Sequence, residues 1–386
     1  MIGYNGHMFD PEKTELAWVD TPARFKEMLS QVMGQPVVAI DTESNSLYAY
    51  QEQVCLVQIS TIDKDYLVDP LALKDLSELS GLFESPDIEK VFHAAEYDLM
   101  CLMRDFGFQF NNIFDTMLAG RTLGIQSIGL GSMLESQFGI ILEKRFQRAN
   151  WGMRPLSQEM LTYARLDSHY LIPLRNALLE QLVKLDRQKL FQEDCNYLIK
   201  HTKPMQNNVI DLWRIPGVND LKPRQLSALY QLLIFRDSLA RSQNKPHFKV
   251  ISNQALLEIA QTLPKYPEEL TLLPSLAKSQ IARYGKGLLQ AVKQAQKANT
   301  PPRNGNHRIN ESVMMRKERL MQWRKMAGFR MGVPSDVVLP KDVLSVIAEA
   351  NPRSMEELQS IMKDVPLRFI KYGEAIFRLF ESERKS

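Results

Sequence analysis

The chain has 386 residues, 44% of them hydrophobic and 24% charged, with a formal net charge of +3; this is the composition of an ordinary soluble globular protein, long enough for two or three domains. No run of about 18 apolar residues occurs, which excludes a membrane-spanning helix, and the opening MIGYNGHMFDPEKTELAW lacks the basic start and apolar stretch of a secretion signal, so the expectation is a cytoplasmic protein. Cys55, Cys101 and Cys195 lie far apart without any CxxC spacing, which excludes a disulfide framework and a thiolate zinc site.

In the first half, strand-like and helix-like segments alternate, the pattern of a sheet covered by helices. Leu16–Asp20 reads as a strand, followed by a helix capped near Asp20 or Thr21 and running from Ala23 to Met33, where Gly34, Gln35 and Pro36 break it. Val37–Glu43, Val54–Thr61, Asp65–Asp69 and Val91–Ala95 read as further strands, and Tyr97–Phe106 has helical spacing. From Ile113 onward the pattern is almost wholly helical, punctuated by Gly124, Gly129, Gly131, Gly139 and Pro155. The stretch LSQEMLTYARLDSHYLIPLRNALLEQL carries Leu161, Ala164, Leu171, Leu174 and Leu178 on an apolar stripe, with a weak capping signal at Ser157.

The second half repeats itself at an offset of 88 residues. Arg236 matches Arg324, Pro246 matches Pro334, Pro264 matches Pro352, Glu268-Glu269-Leu270 matches Glu356-Glu357-Leu358, and Tyr284-Gly285 matches Tyr372-Gly373, all without a gap. Two copies of one helical module are therefore expected, over about 208–293 and 310–381, each with an extended segment (HFKVIS, DVVLP) after its first helix. The Pro- and Asn-rich stretch between them reads as an exposed linker. Charge divides with the halves: residues 1–200 hold 18 Lys+Arg against 28 Asp+Glu, residues 201–386 hold 30 against 17. An acidic half joined to a basic half points to contact with a polyanion, of which nucleic acid is the common case.

The residues with chemical potential are acids at the ends of elements. Asp41 and Glu43 stand two apart in a strand and so project to one side, where they raise each other's proton affinity unless a cation lies between them. Oxygen-only ligation suits magnesium or manganese. Tyr163 and Asp167, four apart, share one helix face. Asp98 opens the helix that follows HAAEY, and Asp115 in FDT reads as a buried or capping acid.

The order of these groups, Asp-x-Glu at a strand end, Asp at a helix start and Tyr-x-x-x-Asp in a helix, resembles the DEDD exonuclease superfamily in its tyrosine-bearing DEDDy branch. The resemblance extends through VFHAAEYDLMCL, NIFDTMLAG and ANWGMRPLSQEMLTYARLDSHYLIPL, most of residues 16–180. The repeats resemble two HRDC domains, a combination similar to the ribonuclease D family. This implies an α/β ribonuclease H-like exonuclease domain with a mixed sheet in residues 1–205. It also implies two all-α HRDC-like bundles in 206–297 and 310–386, with a linker at 298–309.

The resemblance implies a 3′–5′ exoribonuclease that hydrolyses RNA to nucleoside 5′-monophosphates by two-metal chemistry with Mg2+ or Mn2+, precursor tRNA 3′ ends being the implied substrate. Asp41, Glu43, Asp98 and Asp167 match its metal-binding acids, and Tyr163 the residue that orients the attacking water. Leu47 matches an apolar residue that packs on the terminal base. Arg165 stands where members often have alanine and is expected near the substrate phosphate; Asn150 stands where many have aspartate. A sister branch uses histidine in place of the tyrosine, but neither His93 nor His169 holds that position. Both are expected in supporting roles, His93 on the substrate side. Trp213, Phe235, Phe248, Tyr284, Trp323 and Tyr372 could stack on bases, although matching repeat positions mark most of them as core. A monomer without membrane contact is expected. A DNA exonuclease and an inactive nucleic-acid-binding protein remain alternatives.

Overall fold

The computed structural model describes residues 11–206, 210–299 and 311–384. They form two compact units: the described parts of Met1–Glu43, Val54–Met205 and Arg308–Ser386 make one, those of Ser44–Gln53 and Gln206–His307 the other. The first unit is built on a mixed sheet in the order β1-β4-β3-β2-β5-β6. Its strands are β1 (Glu15–Val19), β2 (Val37–Ser44), β3 (Val54–Ser60), β4 (Lys64–Val68), β5 (Glu89–Phe92) and β6 (Ile113–Asp115). The β1–β4, β2–β5 and β5–β6 pairs are parallel and β3–β4 is antiparallel. Every residue of β3 is buried, which is why VCLVQIS lacks the alternation of a half-exposed strand.

Helix α1 (Pro22–Val32) starts where sequence chemistry places it: the Thr21 hydroxyl accepts from Arg24 N, Pro22 occupies the first turn, and Phe25, Met28, Leu29 and Val32 form the buried stripe. Next come α2 (Glu96–Phe106), α3 (Thr116–Leu123), α4 (Leu130–Phe138), α5 (Gln158–His169), α6 (Leu171–Lys184) and α7 (Gln188–His201). Ser157 caps α5, its hydroxyl accepting from Met160 N at 3.3 Å.

The structure departs from the sequence reading in three places. Ile113–Asp115 is a strand paired with β5, not the start of a helical region; three residues are too few to show a period of two. The single apolar stripe through LSQEM is divided at Tyr170 into α5 and α6. The segments expected to be extended in the repeats are helical turns, His247–Val250 and Ser335–Val338, each entered through a proline whose fixed φ sets up the turn.

The repeat itself is carried into three dimensions. Helices α8 (Pro223–Gln243), α9 (Asn253–Thr262) and α10 (Lys278–Ala295) recur at the same offset as α11 (Glu311–Met331), α12 (Lys341–Ala350) and, after α13 (Met355–Ile361), α14 (Pro366–Arg384). Arg236 Nη1 donates to the Ile251 carbonyl at 3.1 Å and Arg324 Nη1 to the Leu339 carbonyl at 2.9 Å, the same bond in both copies. Most of the linker expected at 298–309 falls at 300–310, outside the described residues. Of the aromatic residues singled out, Trp213, Phe235 and Tyr284 pack in the core of the first copy, Trp323 and Tyr372 in that of the second; Phe248 is exposed.

Within the first unit the second copy is tied to α7 through Arg368. Its guanidinium is fully buried and donates to Glu193 Oε1 at 2.7 Å, Asp194 Oδ1 at 2.6 Å and the Val337 carbonyl at 2.8 Å, while Leu367 N donates to Glu193 Oε2 at 2.6 Å. Burial pushes the Asp194 carboxyl up to about 6 against the opposing pull of Arg368. Arg368→Met strips the cation from two buried carboxylates and is expected to cost on the order of 3–5 kcal/mol in urea denaturation. Arg378→Ala removes an exposed partner of Glu374 and should stay within about 0.5 kcal/mol of the parent.

Candidate active site

Strand β2 delivers Asp41 and Glu43 to the same side, and α5 brings Tyr163 and Asp167 round on one face a turn apart. One carboxylate oxygen from each of Asp41, Glu43 and Asp167 lies within 4.8 Å of the others. Asp98, buried in the first turn of α2, stands beside this trio and accepts a hydrogen bond from the Thr42 hydroxyl at 2.5 Å. Among the described residues none of the four acids has a lysine or arginine partner.

Their protonation follows from burial and crowding. Desolvation first, then the charges of Asp98, Asp167 and Glu43, holds Asp41 well above the usual carboxylate range; burial, Asp167 and Asp98 do the same to Glu43. Burial pushes Asp98 and Asp167 each up to about 7. Tyr163 is raised too, first by burial and then by the charges of Asp167, Glu43 and Asp41 beside it. A crowded, half-buried, oxygen-only set of mutually repelling carboxylates without a lysine or arginine partner fits hard divalent ions such as Mg2+ or Mn2+.

Groups outside the acid set hold it in shape. Asp115, at the end of β6, accepts from Met117 N at 2.8 Å and Leu118 N at 3.2 Å to cap α3. It also accepts from Ala94 N at 3.1 Å and Ala95 N at 2.8 Å, so it fixes the turn that launches α2 and thereby Asp98. That turn needs fixing, because Ala94 has φ +60°, a region that residues with a Cβ seldom enter. Tyr163 is braced by Phe146 and Trp151, with ring centroids 5.8 Å and 6.1 Å away. Arg154 holds the Trp151 loop, donating to the Trp151 and Cys55 carbonyls and to both oxygens of Asp69. Thr42, Phe146, Trp151 and Arg154 escaped the sequence reading, since nothing in their spacing distinguishes them from ordinary core and loop residues.

Asp41 and Asp167 open onto a cavity of about 580 Å³, lined also by Tyr163, His93 and Lys144 among others. His93 Nδ1 lies 2.9 Å from Thr116 Oγ1, whose own proton goes to the Phe92 carbonyl at 3.0 Å. The Thr116 oxygen therefore accepts from His93, which places the imidazole proton on Nδ1 and leaves Nε2 as an acceptor. Burial pulls His93 down to about 4, so the ring is neutral. Arg165, expected near a substrate phosphate, has its guanidinium held by Asp65 Oδ2 at 2.5 Å and by the Thr14 carbonyl, on the side of α5 away from Tyr163 and Asp167. His169 Nδ1 also meets Asp65, at 3.0 Å, a structural contact. Leu47 is half-buried in the segment Ser44–Gln53, which clusters with the second unit.

The 3′–5′ exonuclease family matches residues 16–183, the span that carries every acid of the site. Ribonuclease D of Desulfotalea psychrophila is 32% identical over 282 residues, covering 72% of this chain and 75% of that protein. The chain belongs to the ribonuclease D family. The HRDC domain family matches residues 225–292 and 315–379 of this ribonuclease D family member, the two helical copies. The exosome complex component 10 homolog of Caenorhabditis elegans is 34% identical over 258 residues; the chain spans 29% of that protein's length. The crystal structure of Escherichia coli RNase D shares the fold, with a TM-score of 0.69 at 22% identity, covering 90% of this chain and 99% of that one.

The raised carboxyls of this ribonuclease D family member predict its stability without metal. Asp98 and Asp167 favour the protonated state in the folded chain, so their contribution is fully present below about pH 4 and is lost as pH rises through about 7. Calorimetry in EDTA should therefore give a lower Tm from these groups at pH 8 than at pH 5, with Mg2+ or Mn2+ raising Tm more at pH 8, where protons compete least. Asp167→Asn should stabilise the EDTA-treated protein by roughly 1–2 kcal/mol at pH 8, because one repelling charge is gone.

Proposed function

We propose that this chain is a 3′–5′ exoribonuclease that removes nucleotides from RNA 3′ ends as nucleoside 5′-monophosphates, acting on ends such as those of precursor tRNA. The observation that carries this reading is the cluster of Asp41, Glu43 and Asp167, of which Asp41 and Asp167 line one cavity together with Tyr163. Supporting it are the names of relatives, Ribonuclease D and, for the Escherichia coli structure, "an exoribonuclease involved in structured RNA processing". The reading keeps an exonuclease domain in residues 1–205, helical domains in 206–297 and 310–386, a monomer, and a cytoplasmic setting.

Asp41, Glu43, Asp98 and Asp167 would hold two divalent ions, Mg2+ or Mn2+. When bound, such ions supply the positive charge that acidifies a water and neutralises a leaving oxygen. The remaining work belongs to the chain. Tyr163, held protonated by burial and surrounding acids, is no general base; its hydroxyl, set beside Asp167 and braced by Trp151 and Phe146, orients the attacking water. The neutral His93, with Nε2 as acceptor, offers a hydrogen-bonding wall for a nucleotide hydroxyl. The basic half of the chain grips phosphates, without reading sequence and with affinity that falls as salt rises.

The test uses 5′-labelled single-stranded RNA and DNA of equal length, with Mg2+, Mn2+ or EDTA. The expected result is a metal-dependent ladder from RNA, lowered at least ~10³-fold by Asp167→Asn and on the order of 10²-fold by Tyr163→Phe. A ladder from DNA alone would replace the reading with a DNA exonuclease. Binding without cleavage under any metal would make the chain a nucleic-acid-binding protein with an inactive core.

A further inference from the structure

The helical copies are built on the same scaffold but have not kept the same surface. In the first copy, a cavity of about 800 Å³ runs between the Pro264–Pro267 segment and α10. Ile281, Leu289 and Val292 give it an apolar floor, and Lys265, Lys286 and Lys293 line it with cations. Tyr266 stands on the edge with 63% of its surface exposed. Pro264 and Pro267 limit the backbone on either side of that tyrosine, so its ring is presented from a stiff segment.

The matching positions of the second copy show that the fold does not demand Tyr266, Lys286 or Lys293; only the cation of Lys265 is kept, as Arg353. At the repeat offset Tyr266 becomes Ser354, Lys286 becomes Glu374 and Lys293 becomes Glu381. Ile281 and Leu289 become Phe369 and Phe377. The Phe369 ring lies 3.0 Å from where a Cβ on Gly373 would stand, with Met355 at 3.5 Å; at Gly285 the nearest atoms, of Leu270 and Ile281, stand at 3.5 Å and 3.6 Å, so larger side chains crowd the corresponding position. Glu374 pairs with Arg378, and Ser354 does a capping task, its hydroxyl accepting from Glu357 N at 3.3 Å. One scaffold thus supports an open, basic, aromatic-edged groove in one copy and a more crowded surface of mixed charge in the other.

From this divergence we infer that the groove between Pro264–Pro267 and α10 is a binding site for single-stranded RNA, separate from the acid-lined cavity; the choice of RNA rests on the exoribonuclease reading. The lysines meet backbone phosphates, and the exposed Tyr266 face with its apolar floor takes a base by stacking, a sequence-tolerant grip. The second copy takes no part in this grip and serves as the brace held to α7 by Arg368.

The test is fluorescence anisotropy with a 5′-fluorescein single-stranded RNA of about 12 nucleotides and the full chain in EDTA, which prevents hydrolysis. Lys286→Glu with Lys293→Glu should weaken binding about ten-fold and flatten the slope of log Kd against log salt by about 1.4, the value for two lost phosphate contacts on a single strand. Tyr266→Ser should weaken binding about five- to ten-fold without changing the slope, and Tyr266→Phe should keep it. All these residues are exposed, so folding is not at stake, and hydrolysis of a dinucleotide in Mg2+ should keep its rate in each variant. Unchanged affinity and slope in the double-lysine variant, as when the groove serves a protein partner, overturns the inference. A parent chain that binds RNA yet hydrolyses no dinucleotide overturns the exoribonuclease reading and leaves this one standing.

Discussion

Four carboxylates crowded together, Asp98 buried and the other three half-buried, with no lysine or arginine partner among the described residues, are the constraint around which the first unit is organised. Left alone, Asp41, Glu43, Asp98 and Asp167 repel one another and resist ionisation, so the fold must hold them against their own electrostatics. It does so with parts rigid for other reasons: the paired strand β2, the capped start of α5, and the backbone hydrogen bonds that Asp115 collects from two turns at once. A site strained in this way is poised for divalent ions, since binding them relieves the repulsion that folding stored.

Around the acids, neutrality and bracing matter as much as charge. Tyr163 stays protonated and cannot swing freely between Phe146 and Trp151, and His93 is fixed in one tautomer by a threonine that has already committed its proton. These side chains limit which hydrogen bonds a nucleotide can make in the cavity. The helical copies show the complementary case, in which a shared scaffold carries different surfaces. Arg368 has no counterpart in the first copy, where Gln280 occupies its position and its side chain donates to the Val250 carbonyl. Both residues reach a carbonyl of the same turn, but only the arginine carries charge onward to Glu193 and Asp194.

Much of this could be read along the chain because the signals are local. Strand β2 and α1 follow from period and capping chemistry, and the repeat from proline and arginine punctuation at a fixed offset. Where signals are short or ambiguous the reading failed: a strand of three residues has no visible period, and HFKV looks extended although its proline entry bends it into a turn. Arg165 shows a different limit. The family resemblance set it near a substrate phosphate, but its contact with Asp65 has no signal along the chain; it lies on the side of α5 opposite Asp167, because a helix turns about 200° in two residues.

The sequence by itself determined which groups could do chemistry, the family resemblance and the duplication, because residue type and spacing along regular elements specify what shares a face. Tertiary structure alone decided which acids converge, which groups brace them, and that the second helical copy is joined to α7. Those outcomes depend on contacts between residues far apart in the chain, such as Thr42 with Asp98 and Glu193 with Arg368, for which no local period carries a signal.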